Sequence, residues 1–236
     1  MKRWICLLAI ALVCTSCVSV FKTNVEALKT TQTVAVVSMY GEEYVDFTET
    51  FGGSLLATAV NAVQGDDYDL SGKIPALKKN ILNSGRNYPF DFVPEKKVIG
   101  TTAYKTIDDS NFRTLDSKVT PKGYKKLAFN EKEKIKAAIS KAGADSGMII
   151  TWQYKLARNN GLFGISGGTK VWGSLTFFLC DRDGNQIFNK TISETSDTGV
   201  IQGMGVTFSR NMPKMVDEAT EKILKKFDSW LKKEMA

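Results

Sequence analysis

The C-terminal segment constrains the fold most. From about Pro213 onward, Met212, Met215, Val216, Ala219, Ile223, Leu224, Phe227, Trp230 and Leu231 recur at helical spacing, with Lys and Glu between them. Such a stripe predicts an amphipathic helix whose apolar face has to be covered. The expected cover is the sheet of its own domain, because the segments just upstream read as strands; a partner helix or a membrane surface is the functional alternative. Ile150, Trp152, Tyr154 and Leu156 alternate with Thr151, Gln153 and Lys155, the period-2 mark of a strand with one buried face. A second strand follows from Lys170 to Cys180, with Val171, Leu175, Phe177 and Leu179 on one side. Asp181-Arg182-Asp183-Gly184-Asn185 supplies turn chemistry, and Gln186 to Glu194 returns as a third strand, which completes an antiparallel meander.

Upstream the pattern is mixed. Thr33-Val34-Ala35-Val36-Val37-Ser38-Met39-Tyr40 is β-prone without alternation, which predicts a central strand covered on both faces. Leu55, Leu56, Ala59, Val60 and Val63 recur at helical spacing with Gly65 as a stop. Ile74, Leu77 and Ile81 repeat the pattern between Pro75 and Gly85, so helices are expected at both places. Phe90 to Val93 and Lys97 to Tyr104 read as strands interrupted at Pro94, which suits an edge or a bend. Asp108 to Lys126 has no period and reads as an irregular excursion over the surface. Asn130 followed by Glu133 has the form of an N-terminal cap, and Ile135, Ala138, Ile139 and Ala142 share one face of a helix ending at Gly143. With 236 residues, 43% of them hydrophobic, and no internal repeat, the chain has material for one substantial core. The expected fold class is α/β (α+β): a single mixed sheet with helices packed on it, ending in the three-strand meander and the long C-terminal helix, within 32–236.

The other end of the chain speaks to location. Met1-Lys2-Arg3 is basic, Trp4 to Val13 is apolar, and Cys14-Thr15-Ser16-Cys17 follows, so 1–16 reads as a signal peptide. Its end resembles the bacterial lipoprotein signal, in which small residues precede a cysteine that is lipidated and becomes the new N-terminus. Thr15 and Ser16 fit, Cys17 is the acceptor, and Cys14 stands where an aliphatic residue is usual. An uncleaved anchor is the rival, since no charge occurs between Arg3 and Lys22, but Thr15, Ser16 and Ser19 argue against it; free secretion is the third reading. Residues 17–31 then form the lipid-anchored spacer, rich in Thr, Ser and Lys. With Cys6 and Cys14 removed and Cys17 acylated, only Cys180 is left, so no intramolecular disulfide can form, and Cys180 reads as a small core residue.

The inventory excludes much chemistry. The chain has no His, which rules out Ser-His-Asp and Cys-His nucleophilic sites and any metal site that needs imidazole. Asp181-x-Asp183-Gly184-Asn185 begins like a calcium loop, but Gln186 and Ile192 stand where such a loop needs Gly and Glu. Asp66, Asp67 and Asp69 read as a solvated turn rather than a cation site. Gly164 to Lys170 lacks the order and the following helix of a phosphate loop. No carboxylate pair or Ser/Lys pair is marked out as catalytic, and no cofactor is implied. The net charge of +7 drops to +5 without Lys2 and Arg3, which is mild and spread out, so nucleic acid is not an expected partner. The connection 159–169 carries Leu162, Phe163 and Ile165 among glycines; these are candidates for contact with a partner or a membrane, or for folding back onto the sheet.

The order of elements resembles the compact α/β domain shared by several envelope lipoproteins: the curli secretion lipoprotein, lipoprotein activators of penicillin-binding proteins, and the N-terminal domain of the TolB translocation protein. The resemblance lies in Thr33 to Tyr40, in Lys141-Ala142-Gly143-Ala144-Asp145 leading into Met148 to Leu156, and in Leu175 to Phe188 around the Asp-rich turn. It implies a non-enzymatic, membrane-anchored lipoprotein that binds or scaffolds another envelope component, protein before polymer. No functional residue carries over individually, and 108–126 has no counterpart. The alternative is a membrane-active protein that inserts the 159–169 loop or the last helix into a bilayer. Val18 after the acylated cysteine resembles an outer-membrane sorting pattern. Mass spectrometry of the native protein is expected to show a chain that starts at acylated Cys17; an unmodified thiol there, on protein released into the medium, would overturn the anchor.

Overall fold

The structure is a computed structural model and describes residues 23–46, 68–115, 117–160, 166–199 and 205–236. Its elements are α1 (Val25–Thr30), β1 (Thr33–Glu42), α2 (Ile74–Ser84), β2 (Asp91–Phe92), α3 (Glu95–Ile99), α4 (Thr102–Lys105), β3 (Lys118–Val119), α5 (Lys132–Ala142), β4 (Ser146–Asn160), β5 (Ser166–Asp181), β6 (Gln186–Thr195) and α6 (Gly205–Met235). The strands form one sheet in the order β2-β1-β4-β5-β6, with β3 also on β1. β1 runs parallel to β2 and β4, while β4, β5 and β6 form the antiparallel meander, so the mixed sheet and the terminal helix match the expected class.

Parallel strands cannot be joined by a tight turn, and the crossover from β1 to β4 carries α2 to α5. It lays material on both faces of β1, which explains why Val34 to Tyr40 is buried without alternation. On the first face, α6, α2 and α1 cover Val36, Met148, Ile150, Tyr154, Leu175, Phe177 and Phe188. The stripe predicted for α6 is buried here, from Met212 and Met215 through Ile223 and Phe227 to Leu231. Phe227 lies flat on Phe177 with ring centroids 3.7 Å apart and meets the edges of Tyr88 at 5.2 Å and Phe188 at 6.0 Å. Tyr154 reaches α6 through a 2.6 Å hydrogen bond to Thr220.

On the second face, α3, α4, α5 and the 108–126 excursion cover Ala35, Val37, Tyr40, Ile149, Phe178 and Cys180. The excursion is stitched to β1: Tyr104 Oη donates to Val37 O at 2.6 Å and accepts from Lys125 N at 3.0 Å. Ser38 Oγ donates to Lys125 O at 2.6 Å and accepts from Leu127 N at 3.0 Å, beside the register shift between Val36 and Ser38.

Four expectations differ from the structure. Lys97 to Tyr104 is not a strand but the short helices α3 and α4, because Gly100 breaks the run and Thr101 Oγ1 caps α4 by accepting from Tyr104 N at 3.1 Å. Asn130 does not cap α5; Glu131 holds that position without a side-chain bond, while Gly143, at φ 68°, ends the helix as expected. α6 begins at Gly205 rather than near Pro213, which sits inside the helix at the cost of one backbone bond. Within the segment read as spacer, Val25–Thr30 is helical and Leu28 is fully buried in the first core. The helix expected over Leu55 to Val63 lies outside the described residues.

Phe227→Ala removes the ring that joins α6 to β5, β6 and Tyr88. A loss of about 3–5 kcal/mol is expected in urea unfolding, the range of buried aromatic truncations.

Candidate docking surface

The two sequence-predicted sites, Cys17 and the group Leu162, Phe163 and Ile165, lie outside the described residues, as do Asp66 and Asp67. Asp69 is described, and its carboxylate accepts from Ser71 N at 2.6 Å and Ser71 Oγ at 2.7 Å, a closed turn as expected. The Asp181 turn is closed in the same manner, with Oδ1 accepting from Asp183 N at 2.9 Å and Asn185 N at 2.8 Å. Among the described residues no group of His, Cys, Asp and Glu is placed to hold a metal ion, and no helix is long and apolar enough to cross a membrane.

The groups with shifted acidity serve the fold. Cys180 is buried, donates from Sγ to Gly147 O at 3.3 Å, and burial pushes its thiol up to about 12. Burial likewise raises Tyr88, Tyr104, Tyr124 and Tyr154, and brings Tyr40 to about 12. Asp145 would be raised by desolvation, but bonds from Thr33 Oγ1 at 2.9 Å and Thr33 N at 3.1 Å, with the Arg182 guanidinium nearby, outweigh that and lower it. It thereby ties β1 to the start of β4. Glu218 follows the same logic: desolvation opposes, and bonds from Thr198 Oγ1 and Thr198 N, both at 2.7 Å, win.

Among the described residues two surfaces stand out. One is a groove of about 410 Å³ between α2 and α6, lined by Asn80, Asn83, Asn87, Asp217, Glu221 and Asp228. Its carboxylates each have a lysine: Asp217 with Lys73 at 2.6 Å, Glu221 with Lys225 at 2.8 Å and Asp228 with Lys232 at 2.7 Å. The other is the far half of the second sheet face. The helices there sit over β1 and β4. Past Phe178 the face continues as Thr176, Ser174 and Trp172 on β5, and as Asn189, Thr191 and Ser193, all exposed, on β6. A hydroxyl pair joins Thr176 Oγ1 and Thr191 Oγ1 at 2.8 Å, and Ser193 Oγ donates to Ser174 Oγ at 3.1 Å. The result is a polar, hydroxyl-rich surface that runs out to the sheet edge, with Lys155 on β4 and Lys170 on β5 at its far end.

This surface was not singled out from the sequence. Its signal is the Asn189, Thr191, Ser193 row, which alternates with Phe188, Lys190 and Ile192 and holds no charge.

No known protein family and no curated protein matches the chain. Among solved structures, the chain is similar to the hypothetical protein CT253 from Chlamydia trachomatis, at 9% identity and a TM-score of 0.41, over 86% of this chain and 98% of that one.

Glu218 gives a pH test. A carboxyl lowered by folding stabilises above its unfolded value, 4.5, and that stabilisation is lost as pH falls through the lowered native value. Glu218→Gln is expected to lower stability at pH 7 and to flatten the decline below pH 4.5, read from urea midpoints across pH. A thiol reagent is expected to reach Cys180 only in denaturant, with Cys180→Ala as the reference; equal labelling of the native protein would contradict the burial.

Proposed function

We propose that the protein is a non-enzymatic, lipid-anchored lipoprotein of the bacterial cell envelope, outer membrane before inner, that binds another envelope component, protein before polymer, through the open half-face of β4, β5 and β6. One observation carries the choice of docking over bilayer insertion: the apolar stripe of α6 is buried against its own sheet, with Met215, Ala219, Ile223, Phe227 and Leu231 fully covered. The helix route of the membrane-active reading is thus already engaged, whereas its loop route rests on Leu162, Phe163 and Ile165, outside the described residues.

The anchor is compatible with this arrangement. The described chain enters at Asn24, whose N–H donates to Ile187 O at 2.8 Å, and α1 then joins the layer of α6. Between acylated Cys17 and Asn24 the chain can span about 25 Å when extended. The helical layer lies on one side of the sheet and the hydroxylated half-face on the other, so a membrane on the α6 side leaves the docking face free. Several acyl chains give a durable tether where one holds only marginally.

Flotation with liposomes tests the reading. The chain with Cys17→Ala is expected to stay in the aqueous fraction, and vesicle binding without acyl chains would favour the membrane-active alternative instead. In intact cells, a photo-crosslinking residue at Thr176 is expected to capture one discrete partner, whereas one at Lys79, on the exposed side of α2, captures none. Capture at Lys79 alone would remove the docking role from the sheet face.

A further inference from the structure

We infer that the outer edge of β6 is where a second copy of this chain adds, antiparallel, about a two-fold axis through Ile192. β6 is a ten-residue strand at the end of the sheet. Its even-numbered residues face β5: Ser196 N, in the same phase one step past the strand, donates to Val171 O at 2.8 Å. The odd-numbered residues therefore direct their N–H and C=O groups outward. The chain itself occupies both ends of this outer row, Ile187 O by Asn24 N at 2.8 Å and Thr195 O by Lys222 Nζ at 3.1 Å. Between them, among the described residues, no backbone hydrogen bond reaches the outer side of Asn189, Thr191 or Ser193. The strand has no proline, and its lysine, Lys190, is turned onto the Trp230 ring, 5.2 Å from the centroid. Among the described residues no proline and no covering segment guards this stretch, and its lysine is drawn to the α6 side.

The strand is complementary to itself in one register. With Ile192 opposite Ile192 of the second copy, Lys190 faces Glu194 of the second copy, and the reverse pair forms across the axis. Both lie on the α6 side, where Glu194 already pairs with Lys226, so each carboxylate would sit between two ammonium groups. On the other face Thr191 meets Ser193 of the second copy, and the existing pairs Thr176–Thr191 and Ser174–Ser193 become continuous hydroxyl rows across the interface. Thr191 and Ser193 are both outward residues, so the pair can exchange both backbone bonds, as antiparallel geometry requires. Neighbouring registers set Lys190 or Glu194 against Ile192, and the next ones set each against its own like charge. α6 lies over β5 and β6. With strands about 4.8 Å apart, two helices set over β5 and β6 would stand about 10–14 Å apart on one face of the joined sheet.

Sedimentation velocity of the full chain in detergent is expected to give a protein dimer. Thr191→Pro removes an outward N–H that β5 does not use, a position where an edge strand accepts proline. It is expected to give a monomer with an unchanged far-ultraviolet circular dichroism spectrum. Cysteine pairing reads the register: Ile192→Cys should cross-link to itself on mild oxidation, Lys190→Cys and Glu194→Cys should not do so alone, and a mixture of those two should. A monomeric native chain overturns the proposal. So does a dimer that survives Thr191→Pro and fails to cross-link through position 192. If Thr191→Pro loses its circular dichroism signal, the cysteine pairs decide.

Discussion

The stacking of Phe227 on Phe177 is the contact on which the rest of the first core depends. β5 and β6 present Val171, Leu175, Phe177, Leu179, Phe188 and Ile192 to that side, and a meander with this face in water would not be stable alone. α6 supplies the cover, and Phe227 touches β5, β6 and, by way of Tyr88, the segment that leads from α2 into β2. Distant parts of the chain meet at one ring. Tyr88 is held in turn by its 2.7 Å hydrogen bond with Ser84 at the end of α2, and the edges of Phe90 and Phe92 close the cluster. A sheet strand, its helix and the crossover are thereby fixed by contacts too far apart in sequence for local propensity to specify.

What was legible in the sequence follows from how directly each burial pattern maps onto a period. The meander was readable because one face of β4 and β5 meets α6 while the other stays polar past Phe178, which gives clean alternation. β1 was readable for the opposite reason, since burial on both faces erases alternation. Lys97 to Tyr104 misled because Val98 and Tyr104 are buried in the second core from two separate short helices, and the break at Gly100 leaves each too short to show a helical period. α1 is too short as well, and Leu28 is its one fully buried side chain. Pro213 reads as a first-turn residue in sequence, but the backbone helix begins upstream of it at Gly205.

The candidate surface was harder to read than the fold. Asn189, Thr191 and Ser193 alternate as a strand's outer row should, but whether that row faces water depends on where the second layer stops, and this layer comes from helices that precede β4 in the chain. The acid–base groups show the converse. Asp145 and Glu218 look like ordinary surface carboxylates in sequence, yet both receive paired side-chain and backbone bonds from a threonine and act as clasps between segments. A lowered carboxyl at such a clasp is a stability device, and it needs no substrate to explain it.

The edge and the face of β6 bear on each other. An antiparallel pairing of two β6 strands has its two-fold axis perpendicular to the sheet, so both α6 helices fall on one side and both hydroxylated half-faces on the other. In such a pair Asn24 of each copy, bonded to Ile187 O, would lie on opposite sides of the axis, and α1 runs into the same layer as α6. If both chains carry the proposed anchor at Cys17, a sheet roughly parallel to the membrane with the α6 layer inward brings both to one bilayer. That orientation would turn the joined hydroxyl rows away from the bilayer and double the hydroxylated area open to the proposed partner. The same symmetry also disposes of the exposed edge, because pairing β6 with itself consumes the outward N–H and C=O groups that would otherwise recruit strands at random. Edge protection and enlargement of the docking face are thus consequences of one contact, centred on Ile192.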